Sequence, residues 1–438
     1  MIEYRNLKIA ILGGGTVGAN VASLLIEHGD ELAARVGAGL EVVGVAVRNP
    51  DAVRTPSVPA ELITTDAASI IPGADIVVEL IGGLEPARTL VLEALASGAD
   101  VVTANKALLA TRGPELFAAA EQVGAQVYYE AAVAAAIPII RPLRESLAGD
   151  RVRRILGIVN GSTNFILDKM DTEGMSASDA QALALELGYL EADPTLDMEG
   201  FDAAQKAAIL ASLAFHTHVP LDAVYREGIS AITDEQVASA KAAGYVVKLL
   251  AIAERIDDPE TGREGVSARV HPALVPSTHP LAAVHGGNNA VFVEAEFAGS
   301  LMFYGAGAGG VQTASAVLGD IVSAARRHLA GGPGVAESSS ADLVVLPIDV
   351  ALTSYQITLE VVDRPGVLAE VAGLIAEHGV SIETASQTAG AAVDGEPTAS
   401  LVIVTHRAQD RALAATVAAL AASAAVRVVR GVVRVEGR

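Results

Sequence analysis

The chain has 438 residues, 52 acidic against 30 basic side chains, a formal net charge of -22 and no cysteine. The acidic balance disfavours nucleic acid and anionic membranes as partners, and the missing thiol rules out disulfides, thiolate metal sites and any thiohemiacetal route from aldehyde to acyl group. A hydrophobic fraction of 51%, mostly Ala, Val, Leu and Ile, supports packed cores in two or three domains, while no apolar run reaches the roughly 18 residues of a membrane span and no signal-peptide layout opens the chain, so a cytoplasmic protein is expected.

Residues 7–12 (LKIAIL) predict a strand, followed by Gly13-Gly14-Gly15-Thr16-Val17-Gly18 and a helical pattern through Val21, Leu24 and Leu25. Further strands are expected at 41–47, 75–81, 100–103 and 125–129, with helices at 87–97 and 114–123. Alternation of this kind implies a doubly wound parallel sheet of Rossmann type over 1–135. After about residue 135 the pattern changes. Helices are expected at 176–187, 200–215 and 234–253, and strands at 152–159, 266–275 and 290–297, as in an α+β domain over 136–307. A Gly-rich loop, Tyr304 to Gly310, leads into a helix at about 308–330 that completes the first domain. GGPGVAESSS opens a linker, 331–348. The remainder, 349–438, reads strand (355–362), helix (367–377), strand (380–387), strand (399–404), helix (407–422), strand (426–435): a ferredoxin-like βαββαβ plan.

The first motif, Gly13-x-Gly15-x-x-Gly18, stands directly between a strand and a helix. There, glycine permits a tight turn and a close approach of backbone N–H groups to a pyrophosphate at the helix N-terminus. Strand two ends Val47-Arg48-Asn49-Pro50, with no acidic residue for a ribose diol. Arg48 suits a 2′-phosphate, which favours NADP, with NAD also usable; otherwise it is an exposed arginine. Glu79 to Gly83 and Thr103-Ala104-Asn105-Lys106 close later strands, where cofactor and substrate gather. Lys106 is an unfavourable choice for a merely solvated helix start, because the helix dipole disfavours a cation there. Small residues in Glu130-Ala-Ala-Val133-Ala-Ala135-Ala-Ile137-Pro138 let carbonyls converge on a hard monovalent cation, or simply pack.

The segment Glu186 to Lys206 places six carboxylates (Glu186, Glu191, Asp193, Asp197, Glu199, Asp202) before one lysine that opens an apolar run. Asp202 and Lys206 are four residues apart on an expected helix, so they share a face. A structural ion pair and a proton-transfer lysine are both compatible with that spacing, and a catalytic lysine has to be partly desolvated. The histidines form no ligand-spaced cluster.

Taken together, Gly13–Gly18, TANKALLA (103–110), YEAAVAAAIPII (129–140), GIVNGSTNFILDKM (157–170), EADPTLDMEGFDAAQKAAILASLAF (191–215) and YGAGAGGVQTASAVLGDI (304–321) closely resemble homoserine dehydrogenases. The tail, with DRPGVL (363–368) and HGVSIE (378–383), resembles an ACT domain, a module that binds regulatory amino acids. The resemblance implies NAD(P)-dependent interconversion of L-homoserine and L-aspartate 4-semialdehyde, in threonine, methionine and isoleucine biosynthesis. It implies that Lys206 handles the proton at the substrate oxygen, with Lys106 assisting between nicotinamide and substrate. Glu191 and Asp202 hold the substrate, Asp197 supports them and Gly188 lends backbone. Gly13, Gly15, Thr16, Val17, Gly18, Arg48, Gly82, Thr103, Lys106, Gly307 and Gly310 match cofactor contacts. Glu130 with the carbonyls of Val133, Ala135 and Ile137 matches a sodium site. Threonine is the implied effector, near Asp363, Gly366, Val367 and Leu368, and the implied assembly is a homodimer or homotetramer. This chain has Ala135-Ala136 where the family commonly has glycine, and Gln312 where proline is expected. Two other readings stay open: a Rossmann oxidoreductase on another amino acid, and a sensor whose nucleotide domain only reports redox state.

Overall fold

Short apolar strands build the first sheet of the computed structural model, which describes residues 6–337, 339–390, 392 and 396–437. Six parallel strands lie in the order Ile63–Thr64, Leu40–Ala46, Leu7–Leu12, Ile76–Glu79, Asp100–Thr103, Val127–Tyr128. Every residue of Ile76–Glu79 and Asp100–Thr103 is buried, as continuous apolar strands covered on both faces require. The strand order turns back between Leu7–Leu12 and Ile76–Glu79, so their carboxyl ends flank the position where α/β sheets bind ligands. The helix Gly310–Ala330 joins this layer from far along the chain: Ala314, Val317 and Ile321 share a core with Ile9, Ile11, Val21 and Leu25.

Two compact units contain the chain. One comprises Met1–Gly161, Gln205–Asp222 and Gly287–Asp342; the other comprises Ser162–Ala204, Ala223–Gly286 and Leu343–Arg438. The first unit also carries an antiparallel trio, Val152–Ile158, Asn288–Ala295 and Gly299–Ala306. The last of these replaces part of the expected Gly-rich loop, which therefore starts near Gly307. Its sequence, GSLMFYGA, is partly exposed and flanked by glycines, so it lacks the alternation that marks a strand. Part of the expected linker is tied down within this unit. Gly334 N donates to Gly124 O at 3.1 Å, and Glu337 accepts from Tyr129 Oη at 3.0 Å and Arg144 Nη2 at 2.6 Å.

In the second unit the helix expected over 234–253 is two elements. Asp234–Ala242 is helical, with a capping box at Thr233 and Gln236. Gly244, at φ +81°, ends that direction, and Tyr245–Asp257 is a strand paired with Glu264–Pro276 through thirteen register positions. Positions 247–254 are all buried, so the run is covered on both faces, and its apolar stretch 249–253 carries no two-residue period to separate it from a buried helix. The ferredoxin-like plan holds: Leu352–Val362, Val367–Glu377, Ile382–Ala389, Thr398–Thr405, Asp410–Ala422 and Val426–Val435, with a core of its own around Ile357, Leu359, Val371, Ile403 and Leu413. Its last strand pairs in parallel with Glu264–Pro276 at Ala273 and Leu274. Beside that seam Arg269, fully buried, bridges Glu254 at 2.9 Å and Glu436 at 3.1 Å. Among the described residues no helix is long and apolar enough to cross a membrane.

Candidate active site

The three fingerprint glycines meet three different needs. Gly13 sits at φ +111°, its N–H donates to Ala46 O at 2.9 Å, and a Cβ there would lie 2.6 Å from Leu80 O. A Cβ on Gly18 would lie 1.9 Å from Gly13 O, so this glycine lets the helix pack on the turn. Gly15 caps the helix Thr16–Glu27 and has no heavy atom within 4 Å of a Cβ position, leaving the space a pyrophosphate needs. Thr16 and Val17 open that helix. The second Gly-rich loop arrives at the same place: a Cβ on Gly310 would lie 2.7 Å from Thr16 Cγ2 and 2.8 Å from Asn20 Nδ2. Gly309, at φ +129°, is covered by the Gln312 side chain, so glutamine at 312 folds back over the loop rather than opening it.

Arg48 is exposed after strand two. Arg54, which sequence reasoning passed over, braces the loop that follows. Its Nη1 donates to Pro50 O at 3.1 Å and Ala52 O at 2.7 Å, and Nη2 to Asn49 O at 2.5 Å. Its buried Nε has no partner and lies 3.2 Å from where a Cβ on Gly14 would stand. The available signal was a second arginine in the same short loop.

Glu79 organises the ends of the next two strands. Fully buried, it accepts from Ile81 N at 2.8 Å, Gly82 N at 3.0 Å and Thr103 Oγ1 at 2.6 Å. Thr103 Oγ1 in turn accepts from Asn105 N at 3.0 Å, so its hydroxyl serves the framework and only its backbone remains for a cofactor. Asn105 caps the helix Lys106–Val123 through Leu108 N and donates to Gly83 O at 2.7 Å. Lys106 is thereby fixed as the first residue of that helix.

Lys206, half-buried on the helix Phe201–Phe215, donates from Nζ to Val159 O at 2.6 Å. Asp202 lies one turn earlier on the same helix and is also half-buried. In the second unit Gly188 adopts φ +77°, Glu191 is exposed and Asp197 is half-buried. Two further carboxylates of the segment have local structural work. Asp193 accepts from Thr195 N at 3.1 Å and Oγ1 at 2.6 Å, which lowers its pKa. Glu199 accepts from Ser230 Oγ at 2.5 Å. Glu186 is exposed.

The loop after Tyr129 tests the sodium expectation. The Glu130 carboxylate already receives four N–H groups: Ile139 N at 2.6 Å and Ile140 N at 2.7 Å on Oε1, Arg141 N and Arg141 Nε each at 3.0 Å on Oε2. Those donors use the carboxylate's accepting capacity, so this side chain does not fit as a cation ligand. Val133, Ala135 and Ile137 have only carbonyls to offer. Ala135 stands at φ +50°, a left-handed angle that glycine takes more easily. Asp320 accepts from Glu130 N at 2.8 Å and lies 3.8 Å from Arg141 Nε. Burial, then the neighbouring Glu130 charge, push its carboxyl up to about 7.

In the C-terminal loop Asp363 is exposed, Gly366 caps the next helix at φ +93°, and Leu368 is exposed. Val367 is instead part of the core, so its side chain is not an effector contact.

Comparison with known proteins agrees with this geometry. The family described as homoserine dehydrogenase, NAD binding domain, matches residues 13–130; homoserine dehydrogenase matches 138–322; the ACT domain matches 355–424. Homoserine dehydrogenase of Corynebacterium glutamicum is 51% identical over 430 residues, covering 98% of this chain and 95% of the relative. That of Mycobacterium tuberculosis is 52% identical over 438 residues, covering 99% of each. The crystal structure of a homoserine dehydrogenase from Thiobacillus denitrificans matches with a TM-score of 0.91 at 40% identity over 99% of both chains. A hyperthermophilic archaeal homoserine dehydrogenase in complex with NADPH matches with 0.61 at 29% identity, covering 75% of this chain and 99% of the other. The chain belongs to the homoserine dehydrogenase family, oxidoreductases that act on a CH–OH group with a nicotinamide nucleotide, and carries an ACT domain at its C-terminal end.

Proposed function

We propose that the protein interconverts L-homoserine and L-aspartate 4-semialdehyde, with Lys206 exchanging the proton at the substrate oxygen. The nicotinamide nucleotide, when bound, supplies or accepts the hydride. The observation that carries the reading is the Lys206 ammonium held 2.6 Å from Val159 O, in the same unit as the fingerprint loop. The carbonyl orients the amine, so that a proton can pass to an oxygen brought beside it. Asp202 and Glu191 hold the substrate, Glu191 through its ammonium, with Asp197 in support, Gly188 lending backbone and Lys106 assisting the proton. The test is Lys206→Ala: cofactor affinity within about threefold of the parent and turnover lower by about 10²-fold or more, the size of a lost general acid-base group. Turnover close to the parent's would remove Lys206 from this role.

Arg48, exposed after strand two, favours NADP, with NAD also accepted, because a guanidinium pairs with a 2′-phosphate in fork geometry. Any monovalent cation in the 130–137 loop rests on the carbonyls of Val133, Ala135 and Ile137, with Glu130 holding the loop's frame. Threonine binds the Asp363–Leu368 loop and slows the enzyme as the end product of a cytoplasmic biosynthetic route. Rates with homoserine, comparing NADP and NAD with and without threonine, test these assignments together. An unchanged rate at saturating threonine removes the feedback role.

A further inference from the structure

Asn289 is fully buried, and neither its amide Oδ1 nor its Nδ2 has a hydrogen-bond partner. Buried polar atoms are paired in the large majority of cases, and an amide orphaned at both ends costs stability wherever nothing completes it. The residue sits at the start of the strand Asn288–Ala295, in register with Gly305. Two glycines flank its amide. A Cβ on Gly307 would lie 2.4 Å from Oδ1 and 2.8 Å from Nδ2, so only glycine fits there beside the amide; a Cβ on Gly161 would lie 3.6 Å from Oδ1, at ordinary contact distance, and is barred instead by Gly287 O at 2.6 Å. Gly307 leads into the loop that brings Gly310 against Thr16 of the dinucleotide fingerprint. Gly161 follows by two residues Val159, whose carbonyl holds the Lys206 ammonium. The orphan amide thus lies between a segment that meets the cofactor and a segment that meets the proton-transfer group. A ring that delivers hydride has to come close to both.

The chemistry of the orphan narrows what it recognises. A primary amide offers one acceptor oxygen and an N–H donor side by side, and its best complement is a second primary amide presented the other way round. A carboxylate would meet the oxygen with repulsion, and a hydroxyl would satisfy one end. The reactive ring of a nicotinamide nucleotide carries such an amide. We infer that Asn289 reads the carboxamide of the nicotinamide ring and so fixes which face of the ring is turned toward the substrate. The inference rests on the dinucleotide reading but not on the identity of the substrate.

The experiment measures binding of NADP and of its 3-acetylpyridine analogue, which keeps the carbonyl acceptor and lacks the N–H donor, by calorimetry on the full chain. The parent is expected to prefer NADP. Asn289→Leu, close in size and apolar, is expected to weaken NADP binding by about tenfold, the analogue by less, and so to collapse the preference. Its melting temperature should hold or rise, because removing an unpaired buried amide costs little. Asn289→Asp keeps shape and acceptor but not the donor, and should weaken NADP binding at least as much. Equal losses for both nucleotides, or none, would overturn the inference, as an amide satisfied by internal water alone predicts. A parent that binds NADP but does not turn over homoserine would count against the proposed activity and leave this inference standing.

Discussion

At the scale of single residues, close approach explains more than charge. Gly18 has no room for a methyl group, since its Cβ would lie 1.9 Å from Gly13 O. Gly18→Ala should therefore lose nucleotide binding and cost on the order of 3 kcal/mol, the upper range for overpacking. Gly15→Ala, with nothing within 4 Å, should keep stability and lose affinity alone. Denaturant titration beside nucleotide titration separates the two, and parallel losses at Gly15 would refute the division of labour. Asp320 supplies a pH test. Its folded pKa, about 7, lies above the ordinary 3.8, so the folded chain binds the extra proton between those values. That stabilisation is complete below about pH 3.8 and is lost as pH rises through about 7. Asp320→Asn should keep the contact with Glu130 N and flatten the fall of melting temperature across that window. An unchanged slope would show that another group carries it.

At the scale of elements, the informative case is Tyr245–Asp257. Its apolar run, 249–253 within the buried 247–254, fits a core helix as well as a core strand, and thirteen positions of pairing with Glu264–Pro276 decide it. Lys248 lies inside that strand, 2% exposed, and donates to Asn164 Oδ1 at 2.9 Å and Val284 O at 2.6 Å. Burial lowers its pKa to about 8. The folded value lies below the ordinary 10.5, so the unfolded chain holds the extra proton between them and stability rises with pH from about 8 to 10.5. Lys248→Met should abolish that rise in chemical-denaturation stability; its persistence would assign it to another base. The helix Phe201–Phe215 shows the opposite situation. Its sequence alone announced the element and the shared face of Asp202 and Lys206, but one acceptor of the Lys206 ammonium, Val159 O, lies 47 residues back and no spacing rule reaches it.

At the scale of the whole molecule, the ferredoxin-like part ends in an edge strand, Ile382–Ala389, exposed at all but its first residue. An exposed edge of that length is a template for pairing with another copy. Pairing of two copies along this edge predicts that Thr384→Lys with Ser386→Lys lowers the mass in light scattering and leaves turnover without threonine intact; an unchanged mass would rule the edge out as a contact between copies. The glycine fingerprint, the alternation of strands and helices, the βαββαβ order and the lysine at the mouth of an apolar helix were all legible in the sequence, because each is local: a turn that only glycine makes, a period, a spacing of four. Tertiary structure alone decided that Glu130 gives its carboxylate to three backbone N–H groups and Arg141, that Thr103 faces Glu79, that Val367 turns into the core, and that Asn289 lies between two glycines. Those outcomes depend on which distant backbone arrives beside each side chain, and a linear pattern carries no record of that.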